Sequence, residues 1–466
     1  MGVNSGGARR TLLSAAMKRS LVLSLGFLAA ACSSPSSTPT VDAGADTGTD
    51  VGTVPDTTPP TDRPTSDTPV VTDVPATDTG VDAPAPDVPV DAPVGATWCA
   101  TGTTVTQGRL PPGYCVKLFV GSPDGSVAHS PVMEPRVMVF APNGDLFVSA
   151  PSTSTPGGAS GGPGSILVLT DDDANGVAEV HTFLPGVSDV HGLAFAPDAL
   201  FYTTTSAVYR VGYATGQRAS TGTPVMVSPI TTPGRWTHGL ARSAGGSLYV
   251  SNGVISASCP GHSDGYVASV GASGLSMMAV GLRNPMSLRC HFHDEICMAA
   301  EMGDDGGASY GAREKLFTIR SGTDYGFPCC AGPNMGAPGN TGCGGITQEE
   351  VTIPLGNSPF GFDWEHGLWS GAMSGVLCLA QHGSFYSSPP WLGEGVYCTP
   401  TNATTHVPTS NFTMFLGGFS PSNMGSARML RPADVTFAPD GRMFVSDDIA
   451  NAIYWVAPES LARPTH

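Results

Sequence analysis

The chain has 466 residues, of which only 13% are charged, and its formal net charge is -17. Gly 60 and Pro 42 together make up about a fifth of it, which argues against a coiled-coil or helix-rich protein and for many turns. The length suits two or three average domains, or one propeller or barrel. With only Lys18, Lys117 and Lys315 as lysines, the chain has no basic surface with which to displace counterions, so a general nucleic-acid binder is excluded.

The charge is unevenly spread. The segment before Cys32 carries +4 from Arg9, Arg10, Lys18 and Arg19, while residues 33–97 hold eleven Asp against the single Arg63. Residues 98–466 are left moderately acidic. Lys18-Arg19, the apolar run Leu21–Leu28 and the small residues Ala29-Ala30-Ala31 before Cys32 have the order of a secretory signal, with Met17 a plausible true start. The run is too short to span a bilayer as a helix. Ending at a cysteine, it resembles a bacterial lipoprotein signal (residues 1–31), which implies acylation of Cys32. Ser33 in place of Asp then implies the outer membrane, with the membrane contacted through the lipid alone. An ordinary signal with an incidental cysteine is the alternative.

Residues 32–97 form the next region, where Thr, Asp, Pro, Val and Ala repeat without an aromatic residue before Trp98. Such a composition cannot bury enough apolar surface to offset chain entropy. Proline and like charge favour an extended tether, reaching roughly 200 Å at most.

From Trp98 to the end a pattern of strand, turn and strand recurs. It is read at Arg136–Ser149, His191–Tyr202, His238–Ser251, Arg283–Met298, Pro359–Leu379 and Arg431–Ser446. Most copies lie roughly 45–55 residues apart, the period of a propeller blade, with a longer stretch before the fifth. Asn143-Gly144 and Asp440-Gly441 supply hairpin turns. The expected fold is therefore all-β, a six-bladed β-propeller over 98–466. Tyr114–Val120 is placed to close the last blade. An array of β-sandwiches would need linkers that this region lacks.

Several stretches resemble the soluble glucose/sorbosone dehydrogenase family, six-bladed propellers that use pyrroloquinoline quinone. They are Leu110-Pro-Pro-Gly-Tyr-Cys-Val116, Gly281-Leu-Arg-Asn-Pro285, Glu314 with Asp324-Tyr-Gly-Phe-Pro328, Gln381-His-Gly-Ser384, and Arg431-Pro-Ala-Asp-Val435 with Val445-Ser-Asp-Asp448. The resemblance covers about 110–457. It implies oxidation of a sugar or polyol hydroxyl, with a histidine base, a quinone hydride acceptor and Ca²⁺. Physically, hydride leaves a carbinol only as its proton is taken, and the charge formed on the acceptor must be stabilised.

Residues just before each inner strand of a propeller converge near its axis. Here they are Arg136, His191, Arg235 or His238, Arg283 with Asn284, and Arg431, a basic set in an acidic domain. Arg136, His191, Arg283, Asn284 and Arg431 are the expected cofactor-binding residues. The family pattern of the third blade resembles H-W-T-R-x-L, and this chain reads Arg235-Trp-Thr-His238-Gly-Leu240. The base position thus holds Arg235, which stays protonated. His238 is then the expected base. The family's G-S-W-N-R reads Gly383-Ser-Phe-Tyr-Ser387, and its acidic residue before Glu314 is Arg313. The rival reading is a catalytically silent propeller, binding a carbohydrate or peptide, whose basic residues support blade carbonyls.

Asp171-Asp-Asp173-Ala-Asn175-Gly176 matches the first half of a calcium loop, with an acidic hairpin turn as the alternative. Thr182 replaces the terminal Glu. No Cys/His spacing resembles a zinc site. Eleven cysteines become ten once Cys32 is acylated, which in an exported protein suggests up to five disulfides. Cys290–Cys297 and Cys378–Cys398, on hairpin arms, are the expected pairs.

Overall fold

The computed structural model describes residues 96–464 apart from 106–108, 122–129, 152–162, 231–233, 256, 260–263, 305–308, 310, 341, 384–392 and 418–429. The signal segment with Cys32, nearly all of the tether, and Ser384–Ser387 lie outside the described residues. No described helix is long and apolar enough to cross a membrane.

Six antiparallel sheets follow one another along the chain, which is the expected propeller. Their inner strands are Met138–Phe140, Leu193–Ala196, Leu240–Arg242, Asn284–Cys290, Pro359–Trp364 and Pro432–Phe437, so each predicted copy supplies one blade. Apolar residues that alternate along these strands are buried between neighbouring blades. Between blades 1 and 2, Phe147 meets Phe183, Phe195 and Tyr213 edge-on, with ring centroids 4.8–5.5 Å apart. Each such buried ring is worth about 1.5–3 kcal/mol. Gly144 and Gly441, with φ of +90° and +88°, make the predicted inner hairpins, a conformation that a side chain would strain.

The ring closes as the sequence suggests. Tyr114–Val120 pairs antiparallel with Ala452–Pro458, and Thr103–Thr104 adds a fifth strand to blade 6. The Cys99–Cys115 disulfide covalently fastens this closure. The long interval before blade 5 is an insertion from 319 to 350. It lends Thr323–Asp324 to blade 3 and is stapled by Cys259–Cys329 and Cys330–Cys343. Cys290–Cys297 and Cys378–Cys398 join facing residues of adjacent strands, as expected.

Arg289 points from blade 4 into the central channel. Its guanidinium donates to the Phe362 carbonyl of blade 5 at 2.9 Å and the Met138 carbonyl of blade 1 at 3.2 Å. In blade 6 it reaches both carboxylate oxygens of Asp434 at 3.1 Å and the Val435 carbonyl at 3.3 Å. Asp434 also accepts from the Met138 amide at 2.7 Å. One side chain thus ties the inner strands of four blades. Below it, a cavity of about 260 Å³ is lined by Val139, Phe195, Arg242, Phe292, His366 and Phe437.

Two outcomes are expected. Arg289→Ala, which leaves the Asp434 carboxylate buried without its partner, should cost about 3–5 kcal/mol in urea unfolding; a loss under about 1 kcal/mol would show that the channel does not need its pin. Protein expressed into an oxidising compartment should yield no alkylatable thiol among the ten cysteines of 98–466 by mass spectrometry without reduction, and two or more labelled cysteines would contradict the five bridges.

Candidate functional site

Antiparallel pairing brings the start of an inner strand beside the end of the second strand of the same blade. Pro359 pairs with Gln381, and Pro432 with Asp447. The residues that follow those second strands, His382 and Asp448, therefore join Arg136, His191 and Arg431 at one end of the channel. Trp236 and Phe360 supply the apolar walls.

Asp448 is the hub. Its Oδ2 lies 2.8 Å from Arg136 NH1 and 2.9 Å from His382 Nε2, and its Oδ1 lies 3.8 Å from Arg431 NH1. All four side chains are buried. Burial pushes the Asp448 carboxyl up, but Arg136, His382 and Arg431 together outweigh it and hold the group well below the usual carboxylate range. Being ionised, Asp448 can only accept, so His382 carries its proton on Nε2 and its lone pair on Nδ1. The His382 ring stacks on Phe360 at 3.9 Å, with 11° between the planes.

Arg136 lies 5.6 Å from the centre of the Trp236 ring and 6.0 Å from that of Phe360. Its NH1 is taken by Asp448, whereas its buried Nε and NH2 have no hydrogen-bond partner among the described residues. With both histidines neutral, two arginines against one carboxylate leave these groups with a net positive charge. A small void between Arg136, His191, Met286, Ser287 and Phe360 opens beside them.

The remaining predicted residues divide. His191 meets Trp236 edge-on at 5.6 Å and turns Nδ1 to the His238 carbonyl at 3.2 Å. A carbonyl only accepts, so the lone pair of His191 is on Nε2. Burial and then Arg136 push its pKa down to about 3, and burial and then Arg431 do the same for His382. His238 is fully enclosed. Its Nδ1 faces the Ser251 carbonyl at 3.0 Å and its Nε2 the Thr205 carbonyl at 3.1 Å. Both nitrogens face carbonyls, so the ring's one lone pair is turned to the protein and not to a substrate, which does not support the expected base role. Burial lowers its pKa, opposed by those two carbonyls.

Arg235 is half-buried, with its Nε donating to the Val254 carbonyl at 3.1 Å. Arg283 turns away from Arg136 toward a second cleft with Glu301, Asp304, Arg313 and Lys315, and its NH1 donates to the Gly303 carbonyl at 2.6 Å. Asn284 is buried, with its Oδ1 lacking a hydrogen-bond partner.

The calcium-loop reading fails on donor geometry. Asp171 pairs with Arg442 at 2.9 Å and accepts from the Gly176 amide, while Asp173 accepts from the Asn175 amide and side chain. Asn175 Oδ1 accepts from the Val177 amide at 2.7 Å. These oxygens close the turn on itself and fasten it to blade 6, the acidic-hairpin alternative, rather than converging on a cation.

No protein-family model matches the chain, and no curated protein matches it by sequence. Solved structures do. The calcium structure of a Trichoderma reesei enzyme of carbohydrate-active family AA12 superposes with a TM-score of 0.60 at 18% identity, covering 77% of this chain and 98% of that one. The holo form of the pyranose dehydrogenase PQQ domain from Coprinopsis cinerea gives 0.58 at 14%, covering 77% and 99%. The soluble aldose sugar dehydrogenase from Escherichia coli, in its apo form, gives 0.51 at 15%, covering 74% and 99%. What is shared is the fold. At these identities the likeness confirms the six-bladed propeller.

Next to Asp448, burial and then the neighbouring carboxylate push Asp447 up to about 7, although it accepts from the Ala450, Ile449 and Arg431 amides. A carboxyl raised in the fold from its ordinary 3.8 binds a proton that the unfolded chain releases. Its contribution to stability is complete below about pH 4 and is lost as pH rises through 7. The melting temperature of Asp447→Asn relative to wild type should therefore climb between pH 5 and 8, and a difference that stays flat over that range would refute a raised Asp447.

Proposed function

We propose that this propeller oxidises a hydroxyl of a sugar or polyol, using pyrroloquinoline quinone bound at the Asp448 end of the channel. The observation that carries the reading is Arg136, a buried guanidinium whose Nε and NH2 lack an acceptor beside a void. A planar quinone bearing carboxylates fits that chemistry: it brings acceptor oxygens for those donors, charge to match the excess cation, and a flat face for Trp236 and Phe360. Arg136 and Arg431 would hold it. A bound quinone would supply the hydride acceptor.

The chain's own groups perform the proton chemistry. His382 takes the hydroxyl proton at Nδ1, while ionised Asp448 behind Nε2 fixes the ring and stabilises the imidazolium as it forms. The low pKa keeps this lone pair free throughout the neutral range. It also makes the ring a weak base in the resting site, so the proton must move as the hydride departs. His191, the other imidazole with an available lone pair, stands across Trp236 and is suited to holding a second substrate hydroxyl. Ca²⁺ is proposed to accompany the cofactor rather than to occupy the Asp171 loop. The exported chain is proposed to be anchored through acylated Cys32 in the outer membrane, with residues 33–97 as its tether.

The second reading, a silent binding propeller, draws on Arg235 at the expected base position and on the enclosed His238. Calorimetry with pyrroloquinoline quinone, with and without Ca²⁺, followed by dye-linked oxidation of a sugar and polyol panel, separates the two. The enzyme reading expects saturable uptake and turnover. Arg136→Ala should weaken uptake by about 1.5–3 kcal/mol. His382→Ala should bind quinone nearly as well and lose at least about a hundredfold in kcat/KM. A chain that takes up no quinone leaves the binding propeller in its place.

A further inference from the structure

We propose that His291, Asp294 and His406 form a site for Zn²⁺ or a similar late first-row divalent cation, at the end of the propeller away from Asp448. His291 and Asp294 lie on the turn between Cys290 and Cys297 of blade 4, and His406 on the loop between Thr399 and Thr413 of blade 5. Asp294 Oδ2 is 3.2 Å from His291 Nδ1 and 2.9 Å from His406 Nε2, and the three candidate ligand atoms lie within 4.8 Å of one another.

The arrangement is poorly explained by hydrogen bonds alone. His291 Nδ1 is buried and has no hydrogen-bond partner despite its nearness to the carboxylate. The His291 and His406 rings lie parallel at 3.5 Å, 9° apart, and present nitrogen atoms to the same oxygen. Each ring can donate to Asp294 as a neutral tautomer, His291 from Nδ1 and His406 from Nε2, yet the His291 bond is not made in this geometry. A cation among the three satisfies all of them. Donors bound at about 2.0–2.1 Å in a tetrahedral site stand roughly 3.3 Å from each other, close to the two spacings from Asp294 to the imidazoles. Burial and then His406 push the His291 pKa down to about 4, which keeps its ligating form at neutral pH.

Each ligand is also held by something else, as a preformed site requires. Asp294 Oδ1 accepts from the Ile296 amide at 2.9 Å, which directs Oδ2 toward the imidazoles. The His406 amide donates to the Asn402 carbonyl at 2.8 Å, and its own carbonyl accepts from Trp364 Nε1 at 2.9 Å. Two imidazoles with one carboxylate select zinc and its neighbours over Ca²⁺, which takes oxygen donors in greater number. Asp294 remains partly exposed, so water can complete the coordination. The inner strand Asn284–Cys290 separates this cluster from the other end of the channel by roughly 20 Å. The cation would clip blade 4 to blade 5 without taking part in the proposed oxidation.

The test is Zn²⁺ binding by calorimetry on full-length, tag-free, chelator-treated protein, with Co²⁺ absorption to report the coordination. We expect one Zn²⁺ per chain that millimolar Ca²⁺ does not displace, together with a raised melting temperature. His406→Ala and Asp294→Asn should each weaken binding at least tenfold, while their metal-free melting temperatures match wild type. Absence of Zn²⁺ uptake, or wild-type affinity in either folded variant, overturns the proposal. Neither result depends on whether quinone binds or sugars are oxidised.

Discussion

A propeller leaves a channel wherever its inner strands fail to meet, and this one is held across that gap by the Arg289–Asp434 pair. Neither partner would be tolerable alone. Burial raises the Asp434 carboxyl to about 6 even with Arg289 beside it. The guanidinium fits because its planar fork reaches carbonyls in two directions while gripping a carboxylate in a third, which a lysine could not do. Blades 1, 4, 5 and 6 then share one set of hydrogen bonds. The same plug divides the space into a polar end, where the arginines gather, and a wider cavity beneath.

At the polar end the governing constraint is that buried charges must be matched. Asp448 serves two arginines and a histidine and is held down, while burial pushes its neighbour Asp447 up to about 7. Adjacent carboxyls driven in opposite directions by their surroundings are what a site needs if one is to stay a fixed charge. Arg136 keeps two donors without a partner among the described residues, so this corner of an acidic protein can take an anion. The two histidines stay neutral because burial, and then the nearby arginines, disfavour a further positive charge.

Much of the fold was legible before the structure, because each blade repeats one inner hairpin with its apolar alternation, two of them marked by Asn143-Gly144 and Asp440-Gly441. The closing strand Tyr114–Val120 could be recognised as an apolar segment preceding the first repeat. The site was half legible. Arg136, His191 and Arg431 stand just before inner strands and were read from that place alone. His382 and Asp448 come after second strands, and only the antiparallel register carries them back beside the first. His238 misled because a one-dimensional reading cannot show that two carbonyls flank its ring. The Asp171 loop misled because the partner that claims its carboxylate, Arg442, is 271 residues away. His291 and His406 are likewise distant in sequence and meet only because blades 4 and 5 pack together, so no local spacing could announce them.

The closure of blade 6 has a mechanical side. The chain enters the described structure at Ala96, whose carbonyl accepts from the Arg463 amide, while Trp98 donates to the Leu461 carbonyl. One residue after Trp98 it is covalently joined to the closing strand through Cys99–Cys115. Any pull arriving along the preceding chain therefore meets residues 96–98 laced to residues 461–463 before it reaches a blade. Past that lacing, the load runs along Tyr114–Val120 and is shared by its whole ladder with Ala452–Pro458, in shear, instead of peeling one hydrogen bond at a time. A propeller held at its seam in this way resists being unrolled from the side at which Ala96 enters it.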